Sequence, residues 1–205
     1  MRNQTLDYYN SNAADFTAAT GDLDFHEIED LFLTQVREAF PERPEKDLRL
    51  LDLGCGSGRD ARYFLDRGFA VQAVDGSEAM CRAASEKTGL VVRQLLFEDF
   101  HETAAYEGIW ACASLLHVPL GDLPAVLTAI EAALVPGGIF YASFKYGSGE
   151  REKGGRHFTD MDEAAFDRLA GRLEGMGILR RWLSCDARPD RKDEYWLNIL
   201  MKKRH

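Results

Sequence analysis

The chain has 205 residues, of which 45% are hydrophobic, and its formal net charge is −9. This length predicts one domain, residues 1–205, with a sizeable core. The negative charge disfavours a nucleic-acid partner, which needs a basic face. No apolar run is long enough to span a bilayer, and the polar start is not a signal peptide. Four cysteines without CxxC spacing predict no metal site and no redox pair. We therefore expect a cytoplasmic protein, monomeric or homodimeric.

The N-terminal part is predicted to be helical. Residues 7–20 are rich in alanine, and Gly21 ends this segment. Residues 28–40 carry apolar side chains at the 3.6-residue period, which indicates a second helix that packs on a core. Two prolines in 41–44 end it. Two helices are therefore expected before the first strand.

From residue 48 the pattern alternates between strands and helices. Alternating units with apolar strands indicate a parallel sheet covered on both faces. A loop is expected over 147–157, and the last two strands read as a hairpin. The fold class is α/β, doubly wound, with a mostly parallel seven-stranded sheet, helices on both faces and an antiparallel C-terminal hairpin strand. The predicted strands are 48–53, 69–74, 90–96, 108–113, 138–145, 178–185 and 193–201, and the predicted helices are 59–67, 77–88, 121–135 and 162–174.

Residues 50–60, Leu-Leu-Asp-Leu-Gly-Cys-Gly-Ser-Gly-Arg-Asp, form the most informative turn in the chain. A buried strand ends here, three alternating glycines follow, and a helix begins. Glycine has no Cβ and tolerates a positive φ, so a ligand can touch the backbone. The amides at the start of the next helix also point outward. The turn therefore predicts a nucleotide-like cofactor.

Three kinds of nucleotide-binding loop can be compared with this turn. A phosphate loop of the type GxxxxGK[ST] needs a lysine after its last glycine, but Arg59 and Asp60 follow Gly58. The dinucleotide fingerprint GxGxxG needs its third glycine where Arg59 stands. Asp52, two residues before Gly54, would repel a pyrophosphate and suits an ammonium group. The turn therefore favours a cationic ligand without phosphate.

The turn resembles the first motif of class I S-adenosylmethionine-dependent methyltransferases. The next strand ends in Asp75, and 134–138, Leu-Val-Pro-Gly-Gly, resembles the turn that this superfamily places before its fifth strand. The resemblance covers about residues 5–201. Segments 108–119 and 141–147 also resemble a narrower bacterial group that includes tellurite-resistance-like methyltransferases. The resemblance implies S-adenosyl-L-methionine as the cofactor.

The resemblance places a cofactor site at the carboxyl ends of the strands. Gly54, Cys55 and Gly56 are expected against the methionine part of the cofactor. Asp52 is expected to face its ammonium group, directly or through water. Arg59 either reaches the cofactor carboxylate or is a solvated helix arginine.

The second strand is expected to supply the ribose contact. Asp75 is placed to accept hydrogen bonds from ribose hydroxyls, and its rival role is to cap the next helix. Gly76 and Ser77 follow it, and Ser77 is the better N-cap. Met80, one turn into that helix, is expected to cover the adenine.

The adenine contact departs from the family pattern. Related chains often carry an acid just after the third strand, where this sequence has Leu96. Backbone groups of Phe97 are the expected alternative, with Glu98 or Asp99 supplying the acid.

The segment after the fourth strand is expected to approach the reacting methyl group. Ala111, Cys112 and Ala113 should present carbonyls near the ammonium and sulfonium, with Leu116 next to them. His117 titrates near neutral pH and is the candidate general base. Its alternative role is to hold the loop that follows through a hydrogen bond.

Residues 1–45 are interpreted as an N-terminal helical lid. Tyr8 and Tyr9 lie in a segment, Tyr-Tyr-Asn-Ser-Asn-Ala-Ala-Asp-Phe, that resembles the lid of the family. A lid would exclude water and complete the site. Tyr9 is therefore a candidate contact in the active site, and ordinary helix packing is the alternative.

Basic residues near two strand ends suggest an anionic acceptor in an otherwise acidic chain. The alternative is a solvated rim of charge. The candidate substrate residues are Lys145, Tyr146, Arg156 and Arg188.

The leading interpretation is a methyltransferase that uses S-adenosyl-L-methionine and acts on a small molecule through oxygen, nitrogen, sulfur or a metalloid. A sensor that binds this cofactor without turnover is one alternative. An NAD(P)-dependent oxidoreductase is a weaker one, because the third glycine is missing and the Pro-Gly-Gly turn is present.

Overall fold

The structure, a computed structural model, describes residues 2–205. In this range the chain forms a large sheet, a separate hairpin and seven α-helices. The helices are α1 (Arg2–Ser11), α2 (Ala13–Thr20), α3 (His26–Ala39), α4 (Arg59–Asp66), α5 (Glu78–Thr88), α6 (Leu123–Ala133) and α7 (Glu163–Ala170). The strands are β1 (Arg49–Leu53), β2 (Ala70–Asp75), β3 (Arg93–Gln94), β4 (Tyr106–Ala111), β5 (Leu134–Lys145), β6 (Gly149–Lys153), β7 (Arg156–Asp160), β8 (Met176–Cys185) and β9 (Tyr195–Lys203).

The large sheet has seven strands in the order β3-β2-β1-β4-β5-β9-β8. The first five strands of this order run parallel, and β9 pairs antiparallel with both β5 and β8. The predicted fold class is therefore confirmed, including the C-terminal hairpin. In the parallel part, the loops after β1, β2 and β4 meet at one edge of the sheet, where ligands bind in open α/β sheets.

Two apolar clusters cover the two faces of the sheet. Helices α3, α4 and α5 build one cluster, and α6 and α7 build the other. Strand β4 lies between them, and all six of its residues are buried. Such a strand reads as a continuous apolar run because helices cover both of its faces.

The predicted helix over 7–20 is two helices in the structure. Asn12 separates them with φ −119° and ψ 20°, which lies outside the helical region. Its side-chain amide donates to the Tyr8 carbonyl over 2.7 Å. Asparagine competes in this way with backbone bonding and favours the ends of helices.

The predicted loop over 147–157 was wrong, because β6 and β7 form an antiparallel hairpin there. Gly154 and Gly155 connect the two strands, with φ of 58° and 74°. A two-residue turn with both φ values positive matches the twist of a hairpin and favours Gly-Gly. The predicted strand 90–96 is also shorter, since only Arg93–Gln94 pairs with β2.

Residues 2–205 contain no helix with the length and apolar character needed to cross a membrane.

Candidate active site

A cavity of about 1110 Å³ opens at the carboxyl ends of β1, β2 and β4. Helices α1 and α2 and the hairpin β6–β7 form the opposite wall. Helix α3 adds Ile28 to the edge of the cavity but buries Phe32, Leu33 and Val36 in the core. The first two helices and the segment up to Ile28 therefore form this cover, and the lid over residues 1–45 stays a prediction.

The glycine turn borders the cavity with its backbone. Gly54, Cys55 and Gly56 all line it, and their contact with the cofactor stays a prediction. Gly54 has φ 80°, and a Cβ at this residue would lie 2.5 Å from Ser114 Cβ. Only glycine therefore fits between this turn and the segment after β4. A ligand in the cavity meets backbone rather than side chains at this turn.

Asp75 lies in the cavity wall at the end of β2. Its Oδ2 accepts from the Gly56 amide over 2.9 Å, and its Oδ1 accepts from the Ser77 amide over 2.8 Å. Burial raises the pKa of this carboxyl to about 6, although both amide bonds oppose the shift. Each oxygen keeps a further lone pair, so the carboxylate can still accept from ligand hydroxyls. Gly76 and Met80 line the cavity beside it.

Asp52 was expected to face the ligand, but it does not line the cavity. Its carboxyl is buried behind the turn, where Oδ2 accepts from the Ala61 amide over 3.1 Å. Burial and the neighbouring Asp60 raise its pKa well above the usual value. The reason for the correction is that the first turn of α4 has unpaired amides and takes this acceptor. Asp52 therefore fixes the helix to the turn.

Two further predicted contacts lie away from the cavity. Ser77 is fully buried and acts as the N-cap of α5, accepting from the Met80 amide over 3.2 Å. Its capping role was predicted, and the structure places it behind the cavity wall rather than in the lining. Ala111 is also fully buried inside β4 and does not line the cavity. The chain reaches the cavity one residue later, at Cys112.

The segment after β4 forms the floor of the cavity. Cys112, Ala113 and Leu116 line it, and their approach to the cofactor stays a prediction. Ala113 has φ 51°, which is uncommon for a residue with a Cβ. Ser143 Oγ accepts from its amide over 2.9 Å and holds this conformation. The segment is therefore bent into the cavity and fixed from β5.

The predicted adenine contacts also reach the cavity. Phe97 and Glu98 line it from a short 3-10 turn, Phe97–Asp99, together with Leu95 and Leu96. The leucines supply an apolar surface, and Glu98 supplies a carboxylate at the edge. This side of the cavity suits a flat aromatic group with polar edges.

Arg59 lines the cavity but is held by two neighbours. Its Nε pairs with Asp60, and its guanidinium lies 3.9 Å from the centre of the Phe25 ring. Asp60 also accepts from Trp110 Nε1 over 2.7 Å. The pKa of Arg59 is raised because the Asp60 carboxylate outweighs the cost of burial. The arginine is therefore fixed at the cavity wall rather than solvated.

Tyr9 and His117 form a hydrogen bond across the cavity. His117 Nδ1 lies 2.7 Å from the His157 carbonyl, which can only accept, so Nδ1 carries the proton. Nε2 then has a free lone pair and accepts from the Tyr9 hydroxyl over 2.8 Å. Burial lowers the pKa of His117 to about 4, and the positive charge of Arg156 adds to this effect. His117 is therefore neutral at pH 7.

Arg156 projects from β7 towards the same place. Its guanidinium lies 4.3 Å from the Tyr8 ring centre and 5.8 Å from the Tyr9 ring centre. Its Nε is buried without a hydrogen-bond partner. Among residues 2–205, no acidic group pairs with it within 4.0 Å. A positive charge thus faces the cavity, and its neighbours among the described residues are aromatic rings and the Tyr9 hydroxyl.

The other predicted substrate residues are paired or turned away. Lys145 Nζ contacts Asp186 Oδ2 over 2.8 Å and also pairs with Glu194. Arg188 pairs with the same Asp186 over 2.6 Å. Both basic residues line the cavity, but their charges are neutralised locally. Tyr146 is not brought to the cavity with them, since it is 42% exposed, bonds Glu163 and lies outside the cavity lining.

Several lining residues were missed because they come from distant parts of the chain. Trp196 lies in the cavity wall, with Lys145 Nζ 4.3 Å from its ring centre. The alternation along β9 already placed Asn198 on the same face. The missed or misassigned lining residues include Phe16, Tyr141, Ser143, Phe158, Trp196 and Asn198.

The seven-stranded sheet with its reversed last pair is the class I methyltransferase fold. The magnesium protoporphyrin IX methyltransferase of Synechocystis has this fold, with a TM-score of 0.69 and 18% identity over 96% of this chain and 94% of that one. The 1,6-didemethyltoxoflavin N1-methyltransferase of Burkholderia thailandensis gives a TM-score of 0.67 and 23% identity over 97% and 90%.

Sequence comparison agrees with the fold. A family profile described as "Methyltransferase domain" matches residues 50–138. The ubiquinone biosynthesis O-methyltransferase of Paramagnetospirillum magneticum is 34% identical over 103 residues, which are 48% of this chain and 41% of that protein. The chain thus spans less than half of this relative's length. The profile covers less than half of the chain, and the fold, the glycine turn and the profile match are all similar to those of class I S-adenosylmethionine-dependent methyltransferases.

Proposed function

We propose that the protein transfers a methyl group from S-adenosyl-L-methionine to a small-molecule acceptor. The observation that carries this proposal is the glycine turn with Asp75 beside it, both open to one cavity. A cationic amino-acid nucleoside needs backbone contacts at one end and a hydroxyl acceptor in the middle. The cavity offers both, and Asp75 lies between the turn and the apolar side near Phe97.

The residues at hand fit this cofactor. Backbone at Gly54 and Gly56 would take the methionine part, and Arg59 would lie near its carboxylate. Asp75 would accept from the ribose hydroxyls, while Met80 and Phe97 would enclose the adenine. When bound, the cofactor supplies a methyl group on a positively charged sulfur. Carbonyls after β4, at Cys112 and Ala113, would then face that charge.

The chain's own contribution to the reaction is alignment and exclusion of water. Helices α1 and α2 cover the cavity, so an acceptor that enters it is removed from bulk solvent. Alignment alone lowers a barrier by roughly 7–11 kcal/mol in oriented intramolecular reactions. His117 Nε2 can take the acceptor proton through the Tyr9 hydroxyl that donates to it, because its other nitrogen is already bonded to a carbonyl.

The acceptor is proposed to be anionic. Arg156 supports this proposal, because it is a cavity-lining cation without an ion pair among the described residues. Lys145 and Arg188 add positive charge, but Asp186 balances much of it. The curated relatives that carry the name O-methyltransferase support a small organic acceptor, without identifying it.

Binding measurements test the proposal and its alternatives. Calorimetry is expected to give saturable binding of S-adenosyl-L-methionine and of its demethylated product, and no saturable binding of NADH. Asp75→Ala should weaken binding roughly 10- to 100-fold, because it removes charged hydrogen-bond acceptors. Asp66→Ala is the matched control, since this exposed carboxylate pairs with Arg62 on the surface of α4 and does not line the cavity. Tight binding of NADH without binding of the methyl donor would contradict the proposal.

A turnover assay distinguishes a methyltransferase from a sensor that binds the cofactor without reaction. A radiolabelled methyl group from the cofactor should enter a metabolite in a cell extract. Tight cofactor binding with no labelled product would favour the sensor. The tellurite-resistance-like grouping, the cytoplasmic location, and the monomeric or homodimeric state stay predictions of the sequence.

A further inference from the structure

The cover of the cavity contacts the candidate base directly. Tyr9 belongs to α1, and its hydroxyl donates to His117 Nε2 over 2.8 Å. The two rings lie 5.4 Å apart, and Phe158 packs 5.1 Å from the other side of His117. No free lone pair of His117 therefore faces an acceptor. A proton that reaches His117 from the cavity has to pass through the Tyr9 oxygen.

The surroundings of this pair are aromatic and positively charged. Phe16 lies edge-on to Tyr9 at 5.1 Å, and Arg156 lies over Tyr8. Groups that face His117 come from two elements: Tyr9 on α1, and Arg156 and His157 on β7. Glu150 and Glu152 on β6 contact the far side of His157 and do not contact His117. Arg156 is the one full positive charge in this group.

From this geometry we propose that the acceptor is a planar aromatic hydroxy acid, with its carboxylate on Arg156 and its hydroxyl on Tyr9. This inference rests on the proposed methyl transfer. The aromatic rings of Phe16, Tyr9 and Phe158 suit a flat ring. The guanidinium of Arg156 matches the planar fork of a carboxylate. Its buried Nε supplies a donor that has no partner in the described chain.

The proton transfer follows from the hydrogen bonds. The acceptor oxygen forms a bond to the methyl carbon while the carbon–sulfur bond breaks, and the electron pair of that bond stays on sulfur. The acceptor proton passes to Tyr9 Oη as the Tyr9 proton passes to His117 Nε2. The products are the methyl ether, the neutral thioether and an imidazolium with protons on both nitrogens. No oxidant or reductant is required.

The acceptor carboxylate also makes His117 a stronger base. In the structure Arg156 lowers the pKa of His117, in addition to the larger effect of burial. A carboxylate paired with Arg156 cancels this positive charge, so His117 becomes a stronger base when the acceptor is in place. The pH dependence of kcat, which reports the bound complex, should therefore have its basic-group pKa above that of kcat/KM, which reports the free enzyme.

Matched probes test the inference. We would compare 3,4-dihydroxybenzoate with 3,4-dihydroxybenzamide, which keeps the ring and hydroxyls and lacks the charge. The acid is expected to have a roughly 10- to 100-fold higher kcat/KM, the range for a hydrogen bond to a charged group. Arg156→Gln should remove this preference, so that the variant has similar kcat/KM for the acid and the amide. Arg82→Gln, on the exposed face of α5, is the control that should change neither.

Kinetic measurements on variants test the proton relay from the acceptor through Tyr9 to His117. Tyr9→Phe keeps the ring and removes the hydroxyl, so kcat should fall roughly 100-fold while KM for the acid changes little. His117→Gln should give a similar fall and should abolish the basic-group limb of the pH profile. Thermal unfolding of each variant checks that it is folded. A Tyr9→Phe enzyme with unchanged kcat would exclude the relay.

Failure of this inference is distinguishable from failure of the proposed function. Equal methylation of acid and amide would overturn the proposed acceptor class. So would methylation of neither probe by a protein that binds S-adenosyl-L-methionine and labels a metabolite in an extract. Absence of cofactor binding in calorimetry would instead contradict the methyltransferase proposal itself.

Discussion

Asn10 in α1 accepts a hydrogen bond of 2.7 Å from Ser77 Oγ at the N-terminus of α5. The same Asn10 oxygen also accepts from the Ala79 amide over 3.2 Å. The helix that covers the cavity is thus fastened to the helix that follows Asp75. Opening of the cover requires that these bonds break, and their donors then need other acceptors.

We expect Asn10→Ala to loosen the cover without unfolding the protein. Loss of a capping acceptor costs about 0.5–2 kcal/mol. Hydrogen exchange should speed up in α1, and the affinity for S-adenosyl-L-methionine should fall severalfold. Gln35→Ala is the control, because Gln35 bonds only the exposed Glu38 on α3. Unchanged exchange in α1 would show that Asn10 does not hold the cover closed.

Two glycines with nearly the same φ allow the steric cost of an added Cβ to be distinguished from the cost of the left-handed backbone conformation. Gly54 has φ 80°, and a Cβ added there would lie 2.5 Å from Ser114 Cβ. Gly68 has φ 86°, and a Cβ added there would have no neighbouring atom within 4 Å. Gly68→Ala should cost about 1–2 kcal/mol from the left-handed conformation alone. Gly54→Ala should cost more, because Ser114 has to move, and should also reduce cofactor binding. Denaturant unfolding of both variants measures the difference.

If both substitutions had the same cost, close packing of the turn on Ser114 would not be a constraint. The conformational preference of glycine would then be the whole explanation for Gly54.

Glu29 is predicted to make stability depend on pH. It is 1% exposed on α3, and burial, followed by Asp60, raises its pKa to about 9. The folded chain therefore holds a proton that the unfolded chain releases above its ordinary carboxyl pKa, about 4.3. Between about pH 4.3 and pH 9 the free energy of unfolding should fall as the pH rises.

Glu29→Gln tests this directly, because the amide keeps the shape and cannot release a proton. The decline between pH 5 and pH 9 should become shallower in denaturant unfolding. Glu27→Gln, in the first turn of the same helix, is the control and should leave the slope unchanged. An identical pH dependence for wild type and Glu29→Gln would exclude a role for this proton.

Lys145 should be far more important for stability than a surface cation. Its Nζ is held by Asp186 and Glu194, and its side chain is 10% exposed. Removal of one partner from a buried pair costs about 3–5 kcal/mol, because the other charge is left behind. Asp186 keeps Arg188 and Trp196, so Lys145→Met is expected at the lower end of this range.

Arg62→Met is the comparison, since Arg62 pairs with Asp66 on the exposed face of α4. This change should cost less than about 0.5 kcal/mol. Similar losses for the two variants would mean that the Lys145 cluster is no more than a rim of surface charge.

Local patterns were enough to predict the sheet and the glycine turn. The strand-to-helix alternation, the three glycines and Asp75 are neighbours in sequence, so their geometry follows from short-range rules. Ser77 was recognised as the better cap for the same reason. The Gly154-Gly155 pair was also a local signal for a hairpin, and its omission was an error of interpretation rather than a limit of the sequence.

The pairings inside the cavity could not be predicted in the same way. Tyr9 and His117 are 108 positions apart, and their contact depends on how α1 crosses the strand ends. Asp52 was assigned from its place beside the turn, but the orientation of its side chain depends on the free amide of Ala61. Lys145 and Arg188 carry the expected positive charge. The pairing of Lys145 with Asp186, however, joins distant parts of the chain and depends on the fold.

The hairpin β6–β7 lies outside the seven-stranded sheet, yet it carries Arg156 to the cavity. Substitutions in this hairpin therefore leave the strand pairing of the seven-stranded sheet unchanged. Substitutions in the hairpin can thus change the cavity wall around Arg156 while the glycine turn stays intact. Proteins with the same seven-stranded sheet can accordingly differ in the compounds that they methylate.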